Sequence, residues 1–458
     1  MHKLEIKLKQ HTPLIHFQHD QEGATLRASE VKPKLDKFII TKLKGSEIYD
    51  QGVKEGWIKN KNGKEWLDYK MRFSSLEKEN SMLLKTYPKN DNKYETAAFP
   101  LILANMGGKS KEEELVNLIL SKTSQVDMET YTTNENLHKI IKDNIGLFFA
   151  LNNFGQRQDK GFGSFTVESV DGVKKDFPKD FLPNGTVYLK YSYPLKAKIS
   201  KKKRQEQLFK VIEFYWKTLK SGINYTQYDY KTSTYRFPER YIKAYLWKYL
   251  NEDIKNKQTW EKRKIKEFFN LTAGSGRERP ENTHPASFAR ALFGLPDKFE
   301  YKNKGKTVEI KHSANTRSDD FIARIPSPIV FKPVITVEDS KIYILINNSS
   351  IEQLKKLTNL TFTFVCGPEM SLNVDPNIIE IQELIVSYSK YLHDIVRLKA
   401  FETIDETKNY AKLNNIGANT NWFIPLDFNW QNIISGEVYD YRINKPKPFT
   451  RWVEVHKL

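Results

Sequence analysis

Residues 151–167, LNNFGQRQDKGFGSFTV, decide how this chain folds. An apolar-striped segment runs into Gly155, a polar basic loop follows, and then come Gly161-Phe162-Gly163 and a strand-like Ser164-Phe165-Thr166-Val167. Glycine lacks Cβ, so it takes positive φ and lets a second backbone come close. Successive N–H groups in such a loop form an anion nest, and Arg157 and Lys160 add charge to it. A helix, a glycine-framed basic loop and a strand together describe a cradle for a phosphate backbone. The same residues also suit a flexible loop with two solvated charges.

Upstream, Leu137, Ile141, Ile145 and Phe148 form one helical stripe, with Thr132 and Glu135 spaced as a capping box. Leu4 to Leu8 alternates apolar and charged residues, the period of a half-buried strand. A loop with His11, His16, His19 and Asp20 follows. Ala28, Val31, Leu35, Phe38 and Ile39 then recur at helical spacing, with Ser29 suited to the N-cap and Pro33 to the first turn. Arg27, Lys32 and Lys34 gather at this helix start, where free N–H groups already favour anions.

Residues 44–95 are Lys- and Asn-rich and read as an insertion or hairpin outside the core. Residues 97–104 read as a strand and 111–121 as a helix. Gly108-Lys109-Ser110 is no nucleotide-binding loop, because the phosphate-binding pattern needs glycine where Leu103 sits. The order strand, helix, strands, helix, glycine loop, strand predicts an α+β fold with a ferredoxin-like βαββαβ unit and insertions.

In the second half, Val187 to Tyr191 alternate as a strand, and a basic run at 201–204 precedes a helical stripe from Leu208 to Leu219. Gly274 to Arg279 makes a second glycine-and-arginine loop, and 297–320 reads as polar loop. Phe321 to Ile325 and Ile329 to Phe331 flank a Pro-Ser-Pro break, strands are predicted at 341–346, 361–365 and 451–455, and 378–411 reads as mostly helical. The predicted division is two tandem ferredoxin-like domains, 1–195 and 196–458.

Charge narrows the partner. Lys and Arg number 74 against 56 acidic residues, a surplus of +18 that favours polyanions, nucleic acid first. Cys366 is the single cysteine, which excludes an internal disulfide and a cysteine-built zinc site. The N-terminus has no apolar run suited to a signal peptide, and no stretch approaches the roughly 18 apolar residues of a membrane span. A cytoplasmic protein with no membrane partner and no cofactor is expected.

Three stretches resemble the RAMP superfamily of CRISPR proteins. Thr12-Pro13-Leu14 followed by Leu26-Arg27-Ala28-Ser29-Glu30-Val31-Lys32 is similar to the family's entry into its first helix. Gly155 to Phe165 is similar to the RAMP glycine-rich loop, and Leu292-Phe293-Gly294 with Arg324-Ile325-Pro326-Ser327-Pro328 to the family's LFG and R-x-x-SP segments. The nearest resemblance is to the large two-domain first subunit of type III-B (Cmr) effector complexes, although Pro33 stands where those relatives often have glycine. The resemblance implies tandem ferredoxin-like domains and a non-catalytic role binding guide RNA near its 3′ end. Other RAMP subunits, and target RNA, are the further partners it suggests. The RNA-contacting residues expected are Arg27, Ser29, Lys32, Lys34, Gly155, Arg157, Lys160, Gly161 and Gly163, then Arg277, Arg279, Arg290 and Arg324.

An enzyme is the alternative. Some RAMP relatives cut RNA without metal, which needs a base for the 2′-OH, an acid for the leaving oxygen and cationic stabilisation. His16 and His19 have the side chains for it. The histidine spacing matches no metal-ligand pattern.

Overall fold

Strand β1 (His2–Gln10) buries Leu4, Ile6 and Leu8 and turns Lys3, Glu5 and Lys7 to water. A computed structural model gives the structure, which describes residues 1–15, 25–74, 82–84, 118–121, 125–183, 186–192, 205, 208–209, 212, 215–216, 219–221, 227–229, 234–236, 244–250, 261–271, 287–294, 298–301, 306–312, 327–336, 339–347, 351–352, 361–373, 380–388, 437–440, 445–448 and 453–457.

Helix α1 (Ala28–Leu43), strand β2 (Lys70–Ser74), strand β3 (Gln125–Thr132), helix α2 (Glu135–Leu151) and strand β4 (Phe165–Val170) follow in the chain. In the sheet the order is β4-β1-β3-β2, with Val173–Lys174 added outside β4. All these pairings are antiparallel, and Leu4 stands opposite Thr130 and Ile6 opposite Met128. Val31, Leu35 and Ile39 of α1 and Leu137, Ile141, Ile145 and Phe148 of α2 join Leu4, Ile6 and Leu8 in one core. Each such side chain, fully buried, is worth roughly 1.5–3 kcal/mol. That core holds the loop between α2 and β4 at one edge of the sheet.

A second sheet has the order β6-β7-β5-β8, from β5 (Val187–Ser192), β6 (Ile329–Ile335), β7 (Asp339–Ile346) and β8 (Val453–Lys457). Helical residues around Phe209 lie between β5 and β6 in the chain, and a helix at 381–388 lies between β7 and β8. The strand permutation is therefore the same as in the first sheet, read from the fourth strand.

The chain divides into one unit of Met1–Ile212, Phe331–Leu345 and Ala411–Leu458, and another of Glu213–Val330 and Ile346–Tyr410. The second unit contains an antiparallel sheet of Lys298–Tyr301, Lys306–His312, Thr361–Val365 and Glu369–Asn373. Phe288 packs edge-on against Phe362 and Phe364 there.

Several expectations are corrected. The N-cap of α1 is Arg27, without a side-chain cap bond, and Ser29 lies exposed inside the helix. Pro33 is also interior, where it cannot donate back to Ser29. Asn134 caps α2 through Leu137 N–H at 2.8 Å, and Thr132 instead accepts from the N–H of Asn134. Within residues 44–95, the part up to residue 74 is not outside the core: helix Glu47–Lys54 and three strands occupy 47–74, and Trp57, Ile58, Leu67 and Tyr69 are buried, while 75–81 and 85–95 lie outside the described residues. Leu118–Ser121 is a strand rather than the end of a helix, and the expected loop at 297–320 contains two strands. Residues 97–104 lie outside the described residues.

Candidate nucleic-acid interface

The chain leaves α2 at Leu151 and closes its loop by pairing Asn153 with Ser164, with Phe154 N–H donating to the Gly163 carbonyl at 3.0 Å. Gly163 is required there: its φ is +64°, and a Cβ would stand 1.9 Å from the Phe154 oxygen. Gly155, at φ +78°, lies so close to Ile15 that a Cβ would come within 2.5 Å of that carbonyl oxygen. The loop crosses the segment after β1, where Gln156 N–H donates to Ile15 O at 2.9 Å and Gly163 N–H to Pro13 O at 2.8 Å. Thr12 Oγ1 donates to Gly161 O at 2.6 Å and accepts from Ser164 N–H at 3.0 Å.

Arg157 sits at the head of the loop in the left-handed region (φ 54°, ψ 33°), followed by a tight turn over Gln158–Lys160. Such a conformation is uncommon outside glycine, asparagine and aspartate, and it is often found at binding sites. The N–H groups of Gly155, Gln156 and Gly163 are committed to protein acceptors, Gly155 to the Glu30 carboxylate at 2.7 Å. The loop is thus less an open main-chain nest than a rigid mount for Arg157 and Lys160.

Lys34 joins this mount from α1. Its ammonium donates to Gln158 Oε1 at 2.9 Å and lies 3.4 Å from Glu30 and 5.0 Å from the Phe154 ring centre. Burial pushes it below the usual lysine range, against the opposing pull of Glu30. Lys160 is likewise lowered by burial, with Asp159 opposing at 2.8 Å. Lys32 points elsewhere, to Asp36 at 2.7 Å, the Leu67 carbonyl and the Tyr69 ring. Arg27 is half-buried at the start of α1, one turn before Glu30. The structure therefore brings together Lys34, Gly155, Arg157, Lys160, Gly161 and Gly163, while the ammonium of Lys32 is committed to the α1–β2 side.

Four residues around the loop were not anticipated from sequence. Lys332 is fully buried and donates to Asn152 O at 2.7 Å and Phe165 O at 2.8 Å. Burial holds it well below the usual lysine range. Asn153 Nδ2 donates to Gln158 O and to Phe331 O, Ser164 Oγ to Pro333 O at 2.5 Å, and Glu30 binds the first loop glycine. The available signal was a lone lysine in the apolar run Ile329 to Ile335.

His11 is buried, and its two ring nitrogens bond Ile335 N–H at 2.9 Å and Thr166 Oγ1 at 2.8 Å. Arg290 is buried in the second unit, in an ion pair with Glu261. Arg277, Arg279, Arg324, His16 and His19 lie outside the described residues. Among the described residues no cluster of side chains suits a metal ion, and no helix is long and apolar enough to cross a membrane.

A family model of the Cmr1 N-terminal domain matches residues 1–223, and one of the Cmr1 C-terminal domain matches residues 241–410. No curated protein matches the chain. Among solved structures, one chain of a cryo-EM structure of the type III-B Cmr-beta complex bound to cognate target RNA is 13% identical. That match covers 38% of this chain and 60% of the other, less than two thirds of its length, with a TM-score of 0.25. The crystal structure of apo Cmr1 from Pyrococcus furiosus is 11% identical over 76% of this chain and 88% of that one, with a TM-score of 0.33. With both domain models matched in order along the sequence, the chain belongs to the Cmr1 family, the first-subunit type of Cmr (type III-B) CRISPR proteins.

Proposed function

We propose that this chain is a non-catalytic RNA-binding subunit of a cytoplasmic type III-B effector complex. It holds the backbone of the guide RNA near its 3′ end, beside other RAMP subunits and the target strand. The two ferredoxin-like halves of the reading rest on the shared strand permutation of the two sheets. The observation that carries the RNA role is the rigid loop Gly155–Gly163, which presents Arg157 in a left-handed conformation with Lys160 and Lys34 beside it. A net charge of +18 supports it by drawing a polyanion toward any such mount. The non-catalytic part is supported by His11, the described member of the histidine group, whose ring is committed to Ile335 and Thr166.

Binding through phosphates falls with salt, by about 0.7 in log affinity per log salt for each contact on a single strand. Arg157→Ala with Lys160→Ala is expected to weaken RNA binding and to lower that slope by up to about two contacts. Unchanged affinity and slope would remove the proposal. RNA left intact after long incubation with the protein in EDTA is the companion result, and cleavage that stops in His16→Ala or His19→Ala would overturn the non-catalytic part.

A further inference from the structure

We propose that Lys332 is a positioning residue for the RNA loop, so that strand β6 sets whether the loop of the first sheet can bind. The inference rests on the RNA-binding reading above. Five hydrogen bonds from four β6 residues carry it. Phe331 O accepts from Asn153 Nδ2 at 2.8 Å, Lys332 Nζ donates to Asn152 O and Phe165 O, Pro333 O accepts from Ser164 Oγ, and Ile335 N–H donates to His11 Nδ1. Asn152 and Asn153 form one stem of the loop, and Ser164 and Phe165 form the other. Lys332 is the one side chain among these that bridges both stems, since its two acceptors are the carbonyl at the end of α2 and the first carbonyl of β4.

Without that bridge the two stems remain joined by the Asn153–Ser164 pairing and the Phe154–Gly163 bond. The stem carbonyls would then be buried without their donor, a state proteins avoid by shifting the backbone. A shift at the stems moves Arg157, which stands four residues beyond Asn153 on the inner turn. Gly161 transmits the same dependence, because a Cβ there would stand 2.9 Å from Pro333. The loop is therefore seated directly on β6, and the lysine fixes how.

The test uses the full chain with Lys332→Met, which keeps bulk and removes the donors, and with Ser164→Ala as a milder change. Hydrogen exchange and binding to a labelled single-stranded RNA are read together. Lys332→Met is expected to speed exchange at Gln156 and Gly163 while the β1–β3 amides keep their protection, and to weaken RNA binding about tenfold. Added to Arg157→Ala and Lys160→Ala, it should cause no further loss, because it acts through those cations. Normal exchange in the loop, or an additive loss of affinity, would overturn the role. If Lys332→Met does not fold, Ser164→Ala must show the same local exchange in smaller measure, and uniform protection there overturns it as well. A wild-type chain that does not bind RNA defeats the RNA reading, while the exchange measurement still decides whether Lys332 positions the loop.

Discussion

The imidazole of His11 accepts the backbone N–H of Ile335 at Nδ1, 2.9 Å away and 324 residues further along the chain. Its other nitrogen meets Thr166 Oγ1, so Nδ1 is unprotonated and Nε2–H is the donor. A histidine held this way serves the fold, whatever its neighbours in sequence do.

Replacing His11 by alanine leaves a buried N–H without its acceptor and a hydroxyl without its partner. The expected cost is about 2–4 kcal/mol, read as a lower urea midpoint at unchanged slope. A variant as stable as wild type would show that water or a shifted backbone replaces the ring.

Gly163 admits no side chain. Gly163→Ala places a methyl 1.9 Å from the Phe154 carbonyl oxygen at a φ of +64°, so a loss of at least about 3 kcal/mol is expected. Urea unfolding checks it, and a loss below 1 kcal/mol would mean that the loop takes another conformation.

Arg157 separates stability from binding. Arg157→Gly relieves the left-handed backbone but adds freedom to the unfolded chain, and these effects are each about 1 kcal/mol and opposite in sign. Stability should hardly change while RNA affinity falls. Affinity equal to wild type would show that the arginine side chain makes no contact.

Glu30 occupies the first loop N–H and lies beside Lys34. Glu30→Gln keeps an oxygen for Gly155 and removes the negative charge beside Lys34. Affinity should rise about threefold at low salt and converge with wild type at high salt, as expected of a screened charge. Weaker binding would instead show that the carboxylate shapes the mount through charge.

Lys332 gives the alkaline side of the stability curve its slope. Folded, it is held well below 10.5, the value it regains when unfolded. Between its lowered value and that one, the unfolded chain binds the extra proton, so stability rises with pH by about 1.4 kcal/mol per unit. Lys332→Met should flatten the rise, and identical wild-type and variant curves would show that the buried amine keeps its charge.

Much of the first sheet was legible because its signals are periodic: the alternation of Leu4, Ile6 and Leu8, the stripe of α2, and the glycines that only a tight loop uses. Strand β2 and its neighbours escaped because their outer faces are Lys- and Asn-rich, so Trp57, Leu67 and Tyr69 show no period although they are buried. The contacts of Lys332 reach back 167 and 180 residues, and no local pattern marks such partners. The N-cap of α2 was misplaced because Thr132 has the right side chain two positions early and bonds the true cap instead.

Strand β5 has its partners far ahead, Val187 facing Ile344 in β7 and Lys457 in β8, whereas the pairings of the first sheet close within residues 2–174. Pairings that span long stretches form late, and a growing chain folds from its N-terminal side. A ribosome therefore releases a finished first sheet well before β6 arrives to seat its glycine loop. The nascent protein therefore passes through a stage in which the loop carrying Arg157 and Lys160 has its own sheet beneath it but lacks the β6 contacts that seat it.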